Sequence, residues 1–77
     1  MSKDAVWDAR ARGLLKAELA RKGVTYEQLA EKLREIGVNE TPASIANKIS
    51  RGRFTAVFLL QCLEAVGCRS LLVTRDE

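Results

Sequence analysis

The sequence contains no histidine, two cysteines and one proline among its 77 residues. Without histidine, the chain lacks the side chain that most often serves as a general base and as a metal ligand. Cys62 and Cys68 are too few for a four-ligand zinc site, and we expect both to pack as small apolar side chains. We therefore predict a protein that is not an enzyme and that holds neither a metal nor a cofactor.

Long apolar runs are also absent. No stretch approaches the ~20 consecutive apolar residues of a membrane helix. The N-terminal segment mixes acidic with basic residues, which is unlike a signal peptide. We therefore predict a cytoplasmic protein that does not bind a membrane. A length of 77 residues suits one small core, so residues 1–77 are predicted to form a single domain.

Glycine marks four possible helix ends. Glycines at positions 23, 37, 52 and 67 each follow a segment in which apolar residues recur at helical spacing. Thr25 and Gln28 fit a capping box at the start of the second segment. Thr41 followed by Pro42 is the preferred order at a helix start. The predicted fold is all-α, a compact bundle of four helices over about residues 3–22, 26–36, 42–50 and 56–66.

The C-terminal tail has a different pattern. Residues 71–74 are rich in side chains that favour strands and are too few for a fifth helix. We therefore predict a short strand within residues 69–77. Because a lone strand has unpaired edges, its natural partner is the same segment in a second copy of the chain.

Charge is unevenly distributed along the chain. The net charge is only +3, yet residues 41–63 contain Lys48, Arg51 and Arg53 and no acidic residue. In the third predicted helix, Ile45 and Ile49 lie on one side, and small, polar or basic residues lie on the other. A helix with such a face can enter the major groove of DNA, because its short side chains allow close approach to the base edges.

This face supplies the candidate DNA-binding residues. The residues predicted to contact bases are Thr41, Ala43, Ser44, Asn47 and Lys48. Arginines past the end of the helix suit phosphates, and the free amides at the start of the second helix attract anions. The residues predicted to contact phosphates are Thr25, Tyr26, Gln28, Arg51 and Arg53.

From residue 23 to about residue 73 the sequence resembles the helix-turn-helix domain of phage repressor and Cro-type regulators, the xenobiotic-response-element-like family. The resemblance lies in GVTYEQLAEKL at 23–33, GV at 37–38, SIANKISRG at 44–52 and FLLQCLEAVG at 58–67. It implies a lambda-repressor-like bundle with residues 42–50 as the recognition helix. It also implies a homodimeric transcription regulator that binds palindromic double-stranded DNA on the nucleoid.

The sequence departs from that family in four places. Arg34, Glu35 and Ile36 lengthen the second helix before the Gly-Val pair. Tyr26 stands where the family often has glutamine. Isoleucines 45 and 49 are four residues apart where the family more often has three. The resemblance therefore assigns the base-contacting positions only to within one residue. A strand-like tail replaces the fifth helix of the family.

The fourth predicted helix carries more apolar surface than a small core needs. Nine of its eleven residues from 56 to 66 are apolar. The predicted dimer interface consists of Phe58, Cys62, Ala65, Leu71, Leu72 and Val73. The alternative hypothesis is a protein-protein interaction module, an adaptor or antitoxin-like partner, that uses the same helix and tail.

Overall fold

The protein is described by a computed structural model that covers residues 3–71 and residue 73. These residues form four helices and no strand: α1 (Lys3–Lys22), α2 (Tyr26–Glu35), α3 (Pro42–Arg51) and α4 (Ala56–Ala65). The predicted all-helical class is therefore confirmed. Every predicted helix is present, and only the C-terminal ends of α2, α3 and α4 differ from the prediction, each by one residue.

Hydrogen bonds from side chains fix where the helices begin. The three later helices each follow a threonine whose hydroxyl accepts the amide three residues on: Thr25, Thr41 and Thr55. The capping box of α2 is confirmed, because the Gln28 side chain also accepts the Thr25 amide at 2.9 Å. At α3 the Ser44 hydroxyl completes a second capping box, and Pro42 occupies the first turn. These local bonds explain why the helix starts are readable from the sequence.

The core is built from apolar side chains of all four helices. The buried ones are Leu15, Leu19, Leu29, Ala30, Leu33, Ile45, Ile49, Phe58 and Cys62. Helix α2 packs against both α3 and α4, and α1 packs against α3. Because Ile45 and Ile49 are fully buried, they fix the rotation of α3 about its axis. The opposite face of α3 is consequently turned outward.

The N-terminal half of α1 is attached to the end of α3. Gly52 follows α3 in the left-handed region, at φ +71°, and its Cα lies directly against the backbone of Asp8. A Cβ atom at this position would overlap the Asp8 carbonyl oxygen. The Arg12 guanidinium donates to the Ser50 carbonyl oxygen at 3.0 Å, where the last carbonyls of α3 favour a cation. Glycine is therefore required at position 52 by both backbone angle and space.

The segment after α4 contains no regular structure where it is described. Residues 68–71 and 73 are in neither a helix nor a strand. Residues 72 and 74–77, which include Leu72 and most of the predicted strand, lie outside the described part of the chain, so the strand stays a prediction. No helix within residues 3–71 combines the length and the apolar character needed to cross a membrane.

Candidate nucleic-acid interface

The outward face of α3 carries mostly short or polar side chains and no acidic ones. Ala43, Asn47, Ser50 and Arg51 are all exposed on it. The Ser50 hydroxyl donates to the Asn47 carbonyl oxygen at 3.1 Å and is therefore occupied by its own helix. Within the described residues, the side chains of Asn47 and Arg51 have no hydrogen bond or ion pair. An amide and a guanidinium are thus presented to solvent one helical turn apart.

The hydroxyls at the start of α3 have structural partners. The Thr41 hydroxyl accepts the Ser44 amide at 3.0 Å. The Ser44 hydroxyl accepts the Thr41 amide and donates to a carboxylate oxygen of Glu40 at 2.6 Å. Both side chains were predicted to contact bases. Their polar atoms are engaged in starting the helix, although Thr41 itself is exposed.

Lys48 lies against the protein. Its Nζ is 2.5 Å from the second carboxylate oxygen of Glu40 and 4.9 Å from the ring centroid of Phe58. The side chain of Glu40 is only 12% exposed and that of Lys48 is 44% exposed. Burial acts to raise the pKa of Glu40, but the hydrogen bonds from Lys48 and Ser44 outweigh burial and hold that pKa below its usual value. Glu40 is therefore a carboxylate at neutral pH.

Arg53 is also paired. Its Nε lies 2.8 Å from a carboxylate oxygen of Asp8, and its Nη2 lies 3.2 Å from one of Asp4. The hydrogen bond to Asp8, supported by Asp4, raises the pKa of the guanidinium further. Residues 41–63 contain no acid in sequence, yet carboxylates from the preceding turn and from α1 contact two of their three cations. Of those three, Arg51 alone has no ion pair within the described residues.

The start of α2 presents its backbone more than its side chains. Thr25 and Gln28 bond to each other's backbone amides in the capping box. Tyr26 is half-buried and packs against the core. The phosphate contacts predicted for these side chains are untested. The Thr25 hydroxyl and the Gln28 side-chain oxygen already accept hydrogen bonds inside the chain.

A shallow, open cleft borders the outward face of α3. It has a volume of about 410 Å³ and is lined by Arg34, Asn39, Glu40, Thr41 and Ser44. Arg34 is exposed near the end of α2. In the sequence, Arg34 stands out only as part of an extension of α2. The fold brings Arg34 beside the start of α3. Among the described residues, no group of three or more histidine, cysteine, aspartate or glutamate side chains is placed to hold a metal ion.

The predicted dimer residues divide into four groups: buried, half-buried, exposed and outside the described part of the chain. Phe58 and Cys62 are 3% and 0% exposed, so they lie in the core of the single chain, where a second subunit cannot contact them. Burial raises the pKa of the Cys62 thiol to about 12. Ala65 and Leu71 are half-buried, Val73 is exposed, and Leu72 lies outside the described residues.

The apolar side chains that α4 does expose are different ones. Val57 and Leu60 are 63% and 65% exposed and lie three residues apart, on the side of α4 opposite to Phe58. The prediction of spare apolar surface on α4 therefore holds, but Phe58 and Cys62, which were predicted to contribute to it, lie in the core.

A family model described as a domain of unknown function (DUF6471) matches residues 7–71. The matched region contains α2, α3, α4 and most of α1, with the outward face of α3 and the cleft beside it. No curated protein and no solved structure matches the chain.

Proposed function

The chain belongs to the DUF6471 family, and we propose that it is a sequence-specific double-stranded DNA-binding regulator of transcription that acts as a homodimer. One observation carries the proposal. The outward face of α3 exposes Ala43, Asn47 and Arg51 with no acidic side chain among them. A helix of about 10–12 Å diameter fits the major groove of B-DNA, and short side chains let its backbone approach the base edges.

In this proposal α2 and α3 form a helix-turn-helix. Residues 36–41 connect them, and both are fixed by capping boxes and by packing on each other. α3 enters the major groove, and the first turn of α2 faces a phosphate through its free amides. The Arg34 guanidinium lies at the cleft beside α3 and would contact the phosphate backbone of the DNA next to the major groove.

The exposed polar groups of α3 define what is read. The Asn47 amide suits adenine, with which it can form two hydrogen bonds, and Ala43 suits a thymine methyl group. Arg51 can contact a phosphate or guanine. Arg53 contacts DNA only after it leaves Asp4 and Asp8, so we assign it a smaller part than the sequence pattern indicated.

The homodimer rests on the exposed side of α4. Val57 and Leu60 place apolar surface in water, and a two-fold related α4 covers both copies at once. Two recognition helices then contact two half-sites of a palindrome. The regulator would work on the nucleoid, in the cytoplasm.

Selection of bound duplexes from random double-stranded DNA tests the function. We expect a palindromic consensus, with half-sites about one helical turn apart. Arg51→Ala, compared with wild type, should weaken binding to that consensus more than binding to bulk DNA. If wild-type protein enriches no sequence over bulk DNA at moderate salt, the proposal is wrong.

A second candidate is a protein-protein interaction module that uses the same apolar side of α4. Val57 and Leu60 support it equally, because exposed apolar side chains do not identify what covers them. Sedimentation of the purified chain separates the two. A stable dimer supports the regulator, whereas a monomer that enriches no DNA supports a module with a different partner.

A further inference from the structure

Lys48 and Glu40 form a partly buried ion pair at the edge of the outward face of α3. The Lys48 ammonium lies between the Glu40 carboxylate, at 2.5 Å, and the ring of Phe58, at 4.9 Å. Ser44 donates to the other carboxylate oxygen, so both oxygens of Glu40 have a partner. Salt screens such a pair less than an exposed one. The fold thus holds in place a cation that would otherwise point along α3 toward the solvent.

Two neighbouring side chains of α3, unlike Lys48, are exposed and make no hydrogen bond or ion pair within the described residues. These are the side chains of Asn47 and Arg51. They are four residues apart, which is about 6 Å along the helix axis. That spacing is near two base-pair steps of about 3.4 Å each. An amide and a guanidinium at this distance suit an adenine and a guanine in the same half-site.

We propose that Glu40 determines which side chains of α3 reach DNA: it holds Lys48 against the protein and leaves Asn47 and Arg51 as the reading pair. This inference rests on the proposed DNA-binding function. Glu40 is a positioning residue, because it acts through Lys48 and does not touch DNA. Arg51, which the sequence pattern assigned to phosphates, becomes a base-reading residue.

The pairing has a consequence for specificity. A free ammonium on α3 attracts phosphates of any sequence, so it strengthens non-specific binding as much as specific binding. Holding Lys48 on Glu40 removes this contribution. The ratio of specific to non-specific affinity then depends on Asn47 and Arg51, whose hydrogen bonds distinguish bases.

Four proteins test the proposal: wild type, Glu40→Gln, Lys48→Met and the double variant, which has the same formal net charge as wild type. Fluorescence anisotropy would measure Kd from 50 to 200 mM salt, with the selected consensus and with a scrambled duplex of equal length. We expect Glu40→Gln to bind the scrambled duplex roughly threefold to tenfold more tightly, with a salt slope steeper by about 0.9. In the Lys48→Met background the same substitution should change Kd less than about twofold.

The double-mutant comparison separates a released lysine from a lost negative charge. If Glu40→Gln tightens binding equally in both backgrounds, the gain comes from charge alone and the proposal is wrong. Glu31→Gln, which removes an acid from the exposed surface of α2, is the matched control and should change binding less than Glu40→Gln does. Thermal melts followed by circular dichroism verify that each variant is folded.

A further measurement covers the case in which Glu40→Gln fails to fold. Lys48→Met should keep the salt slope of wild type on the consensus within about 0.3 units and keep its affinity, whereas Arg51→Ala should weaken consensus binding roughly tenfold and change binding to the scrambled duplex much less. An equal loss of consensus affinity in both variants would overturn the proposal. If wild type prefers no sequence at all, the proposed function itself fails, which is distinguishable from a consensus-binding protein without coupling between Glu40 and Lys48.

Discussion

Replacing Gly52 with alanine should destabilise the fold far more than the same replacement at Gly23. Both glycines follow a helix at nearly the same positive φ, +71° and +67°, so both variants incur a similar backbone strain of about 1–2 kcal/mol. Their surroundings differ. A Cβ at Gly23 meets no atom within 4 Å. At Gly52 it overlaps the Asp8 carbonyl oxygen and lies 2.8 Å from the carbonyl carbon and 3.1 Å from Cα of Asp8.

The overlap at Gly52 is with the backbone of α1, which cannot rotate away as a side chain can. Relief requires α1 to separate from the end of α3, which breaks the hydrogen bond from Arg12 to the Ser50 carbonyl oxygen. Overpacking of this kind costs about 1–3 kcal/mol beyond the strain. We therefore expect Gly52→Ala to lose about 2–5 kcal/mol, from a total of roughly 4–12 kcal/mol for a domain of this size.

Urea unfolding followed by circular dichroism measures both variants. Gly23→Ala should lower the free energy of unfolding by about 1–2 kcal/mol. In thermal melts each 1 kcal/mol corresponds to about 4–8 °C in Tm. Gly52→Ala should lower Tm by about twice as much as Gly23→Ala does. Trypsin should also cleave α1 faster in this variant, after Arg10 and Arg12. If Gly52→Ala costs no more than Gly23→Ala, the close approach of α1 to the end of α3 is wrong.

Three further predictions concern the outward face of α3, the Glu40–Lys48 pair and the exposed side of α4. Asn47→Ala and Arg51→Ala should each relax discrimination at one base pair of the consensus by about 1–3 kcal/mol, and competition binding measures both. The pKa of Glu40 is lower folded than unfolded, so its contribution to stability is complete above the ordinary glutamate pKa of about 4.3 and is lost as pH falls through the folded value. The difference in unfolding free energy between wild type and Glu40→Gln should therefore be larger at pH 7 than at pH 3, and an equal difference at both would contradict the pairing. Leu60→Asp should convert the dimer to a folded monomer in sedimentation, because it puts a charge in the proposed contact between the two copies of α4.

The helices could be predicted because their ends are encoded locally. A threonine hydroxyl bonds to an amide only three residues away, as at Thr25 and Thr41. The glycine after each helix adopts its positive φ through the backbone of the same turn. The inner face of α3 was equally readable, since Ile45 and Ile49 are its only large apolar side chains. Signals of this range do not depend on the rest of the fold.

The inner face of α4 could not be predicted by the same reasoning. Nine of the eleven residues from 56 to 66 are apolar, so helical periodicity favours no single side. The fold buries Phe58 and Cys62 and exposes Val57 and Leu60. That choice depends on the shape of the space left between α2 and α4, which only the assembled core defines. For this reason Phe58 and Cys62 were assigned to the dimer interface, whereas the fold places both in the core.

For a related reason, the sequence could not show which of the cations Lys48, Arg51 and Arg53 are free of ion pairs. A count along residues 41–63 finds basic residues without acids, but ion pairs form in space. Glu40 reaches Lys48 from the turn before α3, and Asp4 and Asp8 reach Arg53 across 45 or more positions of sequence. Only the docking of α1 on the end of α3, which Gly52 permits, creates the second pairing. The outward face of α3 is therefore a property of three segments, and its capacity to bind an anion depends on contacts that lie outside the helix itself.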